Sequence, residues 1–396
     1  MKKNMTISII LAIALMLSGC WDKREINELA FVQGIIIDKG QDNNIKLTLH
    51  ILKPAVLAQS KGGSESGGMG GGGGSAAKPY LIVSEEGATV SKVLSKFNHD
   101  LSRELFIQQN EVLLISEKLA RSGLKDILDV LTRKNEFRRT SYLLILKGNP
   151  EDIIKLPANL EKIPYGDILG AVKRSAKTST AYVVNVNDFF KALTGGEGIQ
   201  PIMGVLNILK KSGKPNGISV KDAAIFDKDK FIGYTNPLET SGLLFINNKI
   251  QGGTIEVEQS LEGHKCKITL GIVRSKTEVK PVLKGNRLYM EISVTTETTL
   301  DEQETTVDFT NSKMINKLEQ LANDAIKHRI ELALNKIQKD YKSDVFGFGE
   351  KIHKRYPYIW KKIKNNWKDL YPHLPVEIKV HSWLARTGIT SKPPKF

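Results

Sequence analysis

Apolar and polar positions alternate with two different periods along this chain. Phe31 to Asp38 is an almost unbroken apolar run, and Asn44 to Leu52 alternates. Between them, DKGQDNN supplies turn residues, so the two runs predict a pair of strands. Tyr80 to Ser84 predicts another strand. Residues 88 to 104 change period, with Val90, Val93, Leu94, Phe97 and Leu101 forming one helical stripe. Glu111 to Ser116 then reads as a strand, 124 to 134 as a helix and Tyr142 to Lys147 as a strand. Such alternation of strands and helices points to a mixed α and β layer. Residues 150 to 200 carry no clear period. The stretches Thr194-Gly195-Gly196-Glu197-Gly198 and Lys210 to Gly217 read as boundaries.

From Ile218 the pattern becomes strands in series, cut by Asn-Pro, Asn-Asn, Gly-Gly and Lys-Gly-Asn punctuation. Residues 311 to 342 form a long amphipathic helix, with Leu318, Leu321, Ala325, Ile330, Leu334, Ile337 and Tyr341 as its buried stripe. A second helix is expected near 358 to 370, and Val376 to Leu384 closes the pattern as a strand. No internal repeat is present. The expected fold class is α+β and multidomain: a mixed sheet-and-helix N-terminal region over 20–205, and a C-terminal domain over 216–390 of antiparallel strands packed with the long helix.

Two segments fall outside this pattern. SKGGSESGGMGGGGGSAAKP, residues 60–79, has almost no side chains to pack and reads as a disordered loop. It contains a GxGxxG pattern, but a dinucleotide site needs a helix opening after the glycines, and Pro79 opposes one. Residues 1–19 read as a signal peptide. Lys2 and Lys3 precede an apolar run from Met5 to Leu17, shorter than the roughly 20 residues of a membrane span. The run ends Leu17-Ser18-Gly19-Cys20, which resembles the lipobox of bacterial lipoproteins. That resemblance implies that Cys20 receives a diacylglyceryl group and becomes the mature N-terminus, on the extracytoplasmic face of the cell membrane.

The chain has 396 residues and a formal net charge of +15, from 58 Lys and Arg against 43 Asp and Glu. In an extracytoplasmic compartment such a balance favours anionic lipid heads or wall polymers over nucleic acid. Of the two cysteines, Cys20 is assigned to lipid, which leaves Cys266 without an internal disulfide partner.

Candidate chemistry is sparse. Ser122 and Lys125 have the spacing of a serine–lysine nucleophile pair, but the KTG and SDN companions are missing. Ser122-Gly123 reads better as a break before a helix. His264 and Cys266 would share one strand face, and two ligands do not make a zinc site. No catalytic residue, cofactor or metal is expected, and the chain is read as a non-enzyme. The C-terminal helix carries Trp360, Ile363, Trp367 and Leu370 on one face and lysines elsewhere. Trp360 and Trp367 are expected to be structural anchors, seated against the closing strand and the long helix. The alternative is an interfacial helix resting on anionic lipid.

With these residues in view, the chain resembles the Ger(x)C lipoproteins, the C subunits of spore germinant receptors. The resemblance runs through Gly19-Cys20-Trp21-Asp22, Arg24-Glu25-Ile26 and Gly34-Ile35-Ile36-Ile37-Asp38. It continues in Ala224-Ile225-Phe226, Glu239-Thr240 and Gly242-Leu243-Leu244. It is strongest at Asp344-Val345-Phe346-Gly347-Phe348-Gly349-Glu350, followed by Tyr356-Pro357, Trp360 and Trp367. Tyr234 stands where the family pattern has tryptophan, and the insert at 60–79 is lengthened. The resemblance implies a non-enzymatic receptor subunit in the spore inner membrane, assembled with membrane-embedded A and B subunits. That complex senses a small-molecule germinant; binding by this subunit is not implied. The rival class is an extracytoplasmic solute-binding lipoprotein of a transporter, which would show two similar α/β lobes.

Overall fold

The computed structural model describes residues 25–54, 56, 78–157, 161, 163–261, 264–304 and 312–386. Cys20, the signal segment 1–19 and nearly all of the 60–79 insert lie outside them. In chain order the elements are β1 Leu29–Lys39, β2 Ile45–Leu52, β3 Tyr80–Gly87, α1 Val90–Asp100, β4 Glu104–Phe106, β5 Val112–Ser116, α2 Glu117–Ser122, α3 Lys125–Arg133 and β6 Tyr142–Lys147. Then follow α4 Glu151–Ile154, α5 Pro164–Lys177, α6 Val186–Thr194, β7 Ile202–Lys211, β8 Lys214–Asp227, β9 Lys230–Tyr234 and α7 Pro237–Ile246. The last third comprises β10 Thr254–Leu261, β11 His264–Lys284, β12 Arg287–Gln303, α8 Ser312–Ala333, α9 Phe348–Arg355, α10 Pro357–Ile363, α11 Trp367–Leu370 and β13 Val376–Arg386.

Among the described residues nine strands form one mixed sheet in the order β3-β2-β1-β5-β6-β7-β8-β9, with β4 beside β1. Its centre is parallel (β1, β5, β6, β7) and both flanks are antiparallel. Central strands of this kind are buried on both faces, hence the unbroken apolar runs. Ile35, Ile37, Leu113 and Ile115 face one core with Val93, Phe97 and Leu128 of the helices. Ile36, Val112, Leu114 and Leu144 face the other, with Tyr165, Ile168 and Val172 of α5.

The second sheet has the order β10-β11-β12-β13. Its first three strands are antiparallel, as expected, but β13 runs parallel to β12. Antiparallel neighbours can be joined by a tight turn, whereas β12 and β13 are joined through α8 to α11, a crossover long enough to return in the same direction. Helix α8 lies along β13: Ser382 N–H donates to Asn323 Oδ1 at 2.7 Å and Leu384 N–H to Glu319 Oε1 at 2.9 Å. The α8 buried stripe is Leu318, Ala322, Ile326, Ile330 and Ala333. It is displaced from the expected one, since Leu321 and Ala325 are only half-buried. The helix then widens into a π-helical segment, Leu334–Asp340.

Two further sequence expectations need correction. Pro237–Ile246, read as part of the strand series, is helix α7. Its Asn236 and Glu239 form a reciprocal capping box around Pro237, a start signal that outweighs the apolar run. The expected 358–370 helix is broken by a 3-10 turn at Lys364–Asn366 and preceded by an unexpected helix, α9. Strands β7 and β8 pair as a hairpin across residues 205–216. One hydrophobic cluster extends from the first sheet through α7 and α8 into the second sheet.

Candidate functional site

The strongest constellation is built around Asp344, between the π-helical segment and α9. Its carboxylate is 3% exposed. It accepts from Phe348 N–H at 2.9 Å, Gly349 N–H at 2.8 Å and Trp367 Nε1–H at 3.1 Å. The two amides belong to the first turn of α9, so Asp344 satisfies donors that a helix start leaves open. Gly347 holds φ +64°, a left-handed turn that glycine adopts without strain. The same turn grips the loop between α6 and β7. Glu350 N–H donates to Gly198 C=O at 3.0 Å, and Gln200 N–H to Asp344 C=O at 2.9 Å. A side chain on Gly349 would collide with Gly198 and with the Trp360 ring. The Gly-rich stretch after α6, read as a boundary, is thus a docking loop.

Further bonds tie the same segment to β8, β9 and the end of α7. Ser343 Oγ donates to Phe226 C=O at 2.6 Å, Tyr341 Oη to Tyr234 C=O at 2.8 Å, and Asn247 Nδ2 to Val345 C=O at 3.1 Å. Lys368 Nζ pairs with Asp227 at 2.6 Å. Beside the junction lies a cavity of about 380 Å³, walled in part by Tyr182, Phe189, Ile199, Lys249, Val345 and Glu350.

Trp360 is 8% and Trp367 3% exposed. Trp360 packs on Gly349 and stacks near His353, while Trp367 meets Trp360 edge-on at 5.2 Å between ring centroids and Tyr371 at 5.7 Å. They seat α10 and α11 on the Asp344 turn and α9, which sequence reading had not placed.

Burial pushes the Asp344 carboxyl up to about 7, against the pull of its three N–H donors. A carboxyl whose folded pKa exceeds its unfolded value binds a proton more tightly when folded. This contribution to stability is therefore full below the unfolded value near ~4 and is lost as pH rises through 7. Relative to Asp344→Asn, the unsubstituted chain should melt progressively higher as pH falls from about 8 to about 5. A melting-temperature offset that stays constant across that range would remove Asp344 as the titrating group.

The other candidates part company. Ser122 Oγ donates to its own helix, to Leu119 C=O at 2.8 Å. Asp229 caps the next helix by accepting from Leu124 and Lys125 N–H. The pair thus marks a helix-to-helix break, without a base at the hydroxyl. His264 and Cys266 lie on β11, but their side chains fall outside the described ones. Tyr234 donates its hydroxyl to Glu117 Oε2 at 2.7 Å beneath Lys147. Sequence reading missed His50, which is fully buried against Tyr165 with ring centroids 4.6 Å apart. Burial lowers it to about 4, so its ring is neutral. Among the described residues no group of three or more His, Cys, Asp or Glu side chains could hold a metal ion. Nor, among them, is any helix long and apolar enough to cross a membrane.

The fold and this junction define a multidomain α+β body in which a polar network around Asp344 joins separate parts of one chain. The profile of the family described as "Spore germination protein N-terminal domain" matches residues 22–208, and that described as "Spore germination B3/ GerAC like, C-terminal" matches 221–388. The chain belongs to this GerAC-like family, the C subunits of spore germinant receptors. It is 29% identical to spore germination protein KC of Bacillus subtilis (strain 168), over 100% of this chain and 98% of that one. It is 26% identical to spore germination protein B3 of the same organism, over 99% and 100%. The crystal structure of the GerBC protein shares the fold, with a TM-score of 0.53 at 19% identity, covering 92% of this chain and 100% of that one.

Proposed function

We propose that this chain is a lipid-anchored, non-enzymatic subunit that assembles with membrane-embedded A and B subunits of a nutrient germinant receptor. Its place is the extracytoplasmic face of the spore inner membrane. The observation that carries the reading is similarity to spore germination proteins over nearly the whole of both chains, joined to a lipobox that ends at Cys20. Among the described residues no helix is able to span a bilayer, and the lipobox at Cys20 is what assigns attachment to lipid. Two acyl chains hold a protein stably where one does so only marginally. The solute-binding rival calls for two similar lobes, whereas among the described residues the two sheets differ, one nine-stranded and mixed and one four-stranded.

Mass spectrometry of the mature N-terminal peptide should find acylated Cys20, and Cys20→Ala should move the protein out of the membrane fraction. A mature chain that still carries Met5 to Gly19 would sink the anchor. Co-purification with neighbouring A- and B-type subunits, followed by crosslinking, tests the assembly separately.

A further inference from the structure

We propose that the cleft at the start of β1 rests on the headgroup layer of an anionic bilayer. This builds on the anchor proposed above and adds which face of the body meets the membrane. The cleft encloses about 490 Å³ and its walls include Ile26, Ala30, Leu52, Val56, Leu81 and Leu101. Ile26 is 72% exposed and Leu81 38%. Large apolar groups left in water at one place mark a surface that meets something apolar. Among the described residues the charged side chains in the wall are Lys53 and Arg103, and no acid lines it. Glu25, Glu28 and Glu104, near along the chain, are not part of the wall.

Chain length selects the occupant. Six residue steps lead from Cys20 to Ile26. A fully extended chain spans at most ~3.3–3.6 Å per residue, so Ile26 stays within about 20 Å of the acylated residue. The body cannot turn this face far from the lipid to which it is tied. Exposed aliphatic groups beside cations match the chemistry of that layer, where apolar side chains enter the acyl boundary and Lys or Arg meets anionic heads.

The test uses the full-length lipidated chain in vesicles of phosphatidylglycerol and phosphatidylcholine, with Cys266→Ser removing the second thiol. An environment-sensitive fluorophore is placed on Leu81→Cys, or on Leu283→Cys at the tip of the β11–β12 hairpin of the other sheet. The Leu81 probe should shift to shorter wavelength and be quenched by brominated lipid, while the Leu283 probe should not. Replacing Lys53 and Arg103 by glutamine should weaken that contact, roughly fivefold per cation. A chain that sediments with the vesicles while its Leu81 probe remains aqueous overturns the face and leaves the anchor standing. Equal shifts at both positions overturn it too, as does a shift seen only when A and B subunits are present, which would make the cleft a protein-binding surface. A chain that fails to sediment because Cys20 carries no lipid removes the anchor and the face together.

Discussion

Trp367→Ala should lower the melting temperature of the protein by on the order of 10 °C. The indole is 3% exposed and touches both Trp360 and Tyr371. Truncating a buried aromatic typically costs about 3–5 kcal/mol in lost transfer energy and cavity formation. The substitution also takes one donor from Asp344, a buried carboxylate, and a buried group left short of a partner costs about 1–3 kcal/mol. Together these approach the whole stability of a single domain, about 5–15 kcal/mol. Trp367→Phe keeps one six-membered ring and leaves a smaller cavity while it also loses the N–H; it should cost distinctly less. Lys361 and Lys364 are exposed, and reversing both to glutamate should barely alter the melt. If Trp367→Ala left the melt untouched while the charge reversals weakened binding to anionic vesicles, the helix pair would be an interfacial element and not part of the core.

Gly242→Ala should destabilise the protein by about 2–3 kcal/mol, near the upper end of what overpacking costs. In a solvated helix the same change would stabilise by roughly 1 kcal/mol, because alanine is the better helix former. The sign reverses because α7 crosses α8 at this residue. An added Cβ would overlap the Arg329 carbonyl and approach the Ala333 methyl to 2.9 Å. The obstacle is backbone, so no rotamer relieves it and the helices must part. Parting them also strains the bonds from Arg329 Nη1 to Ser241 Oγ and to Thr254 C=O. Gly217→Ala serves as the control, since its new methyl meets only Leu209 Cδ1 at 3.8 Å. Chemical denaturation of the two variants reads the difference, and equal midpoints would show that the α7–α8 crossing tolerates separation.

The central strands and α1, α3 and α8 were legible because burial on one or two faces writes a simple period into the residues. Helix α7 was not, since it is buried nearly all round: Gly242, Leu243, Leu244, Phe245 and Ile246 are each shielded, and a helix without a polar face has no period to detect. Only its capping residues announced it. The region 150–200 was obscure because α4, α5 and α6 are short or carry mixed faces, and Tyr165 closes over Gly34 across the sheet, a contact that no local pattern records. Asp344 was quoted as part of a family signature without a role. Its burial depends on Gly198, Gly349 and Trp367 converging from three places in the chain, and convergence is not a local property. The signature glycines make sense only once the fold is seen: Gly34 admits Tyr165, Gly242 admits a helix, and Gly349 admits a loop and an indole.

The hairpin of β7 and β8 sets an order of assembly during synthesis, which delivers the N-terminus first. Strands β5, β6 and β7 can align as soon as Lys211 has emerged, yet β7 then presents an open edge until β8 follows, and β8 until the short β9 pairs with it. The loop that Asp344 and Glu350 grip emerges still earlier than its clasp. The nascent chain therefore passes through a stage in which a nearly complete sheet carries an unpaired edge, the feature that invites association with another chain. A protein divided at residue 208, where the first family profile ends, would remain at that stage permanently, cut inside β7 and without the strand that covers it.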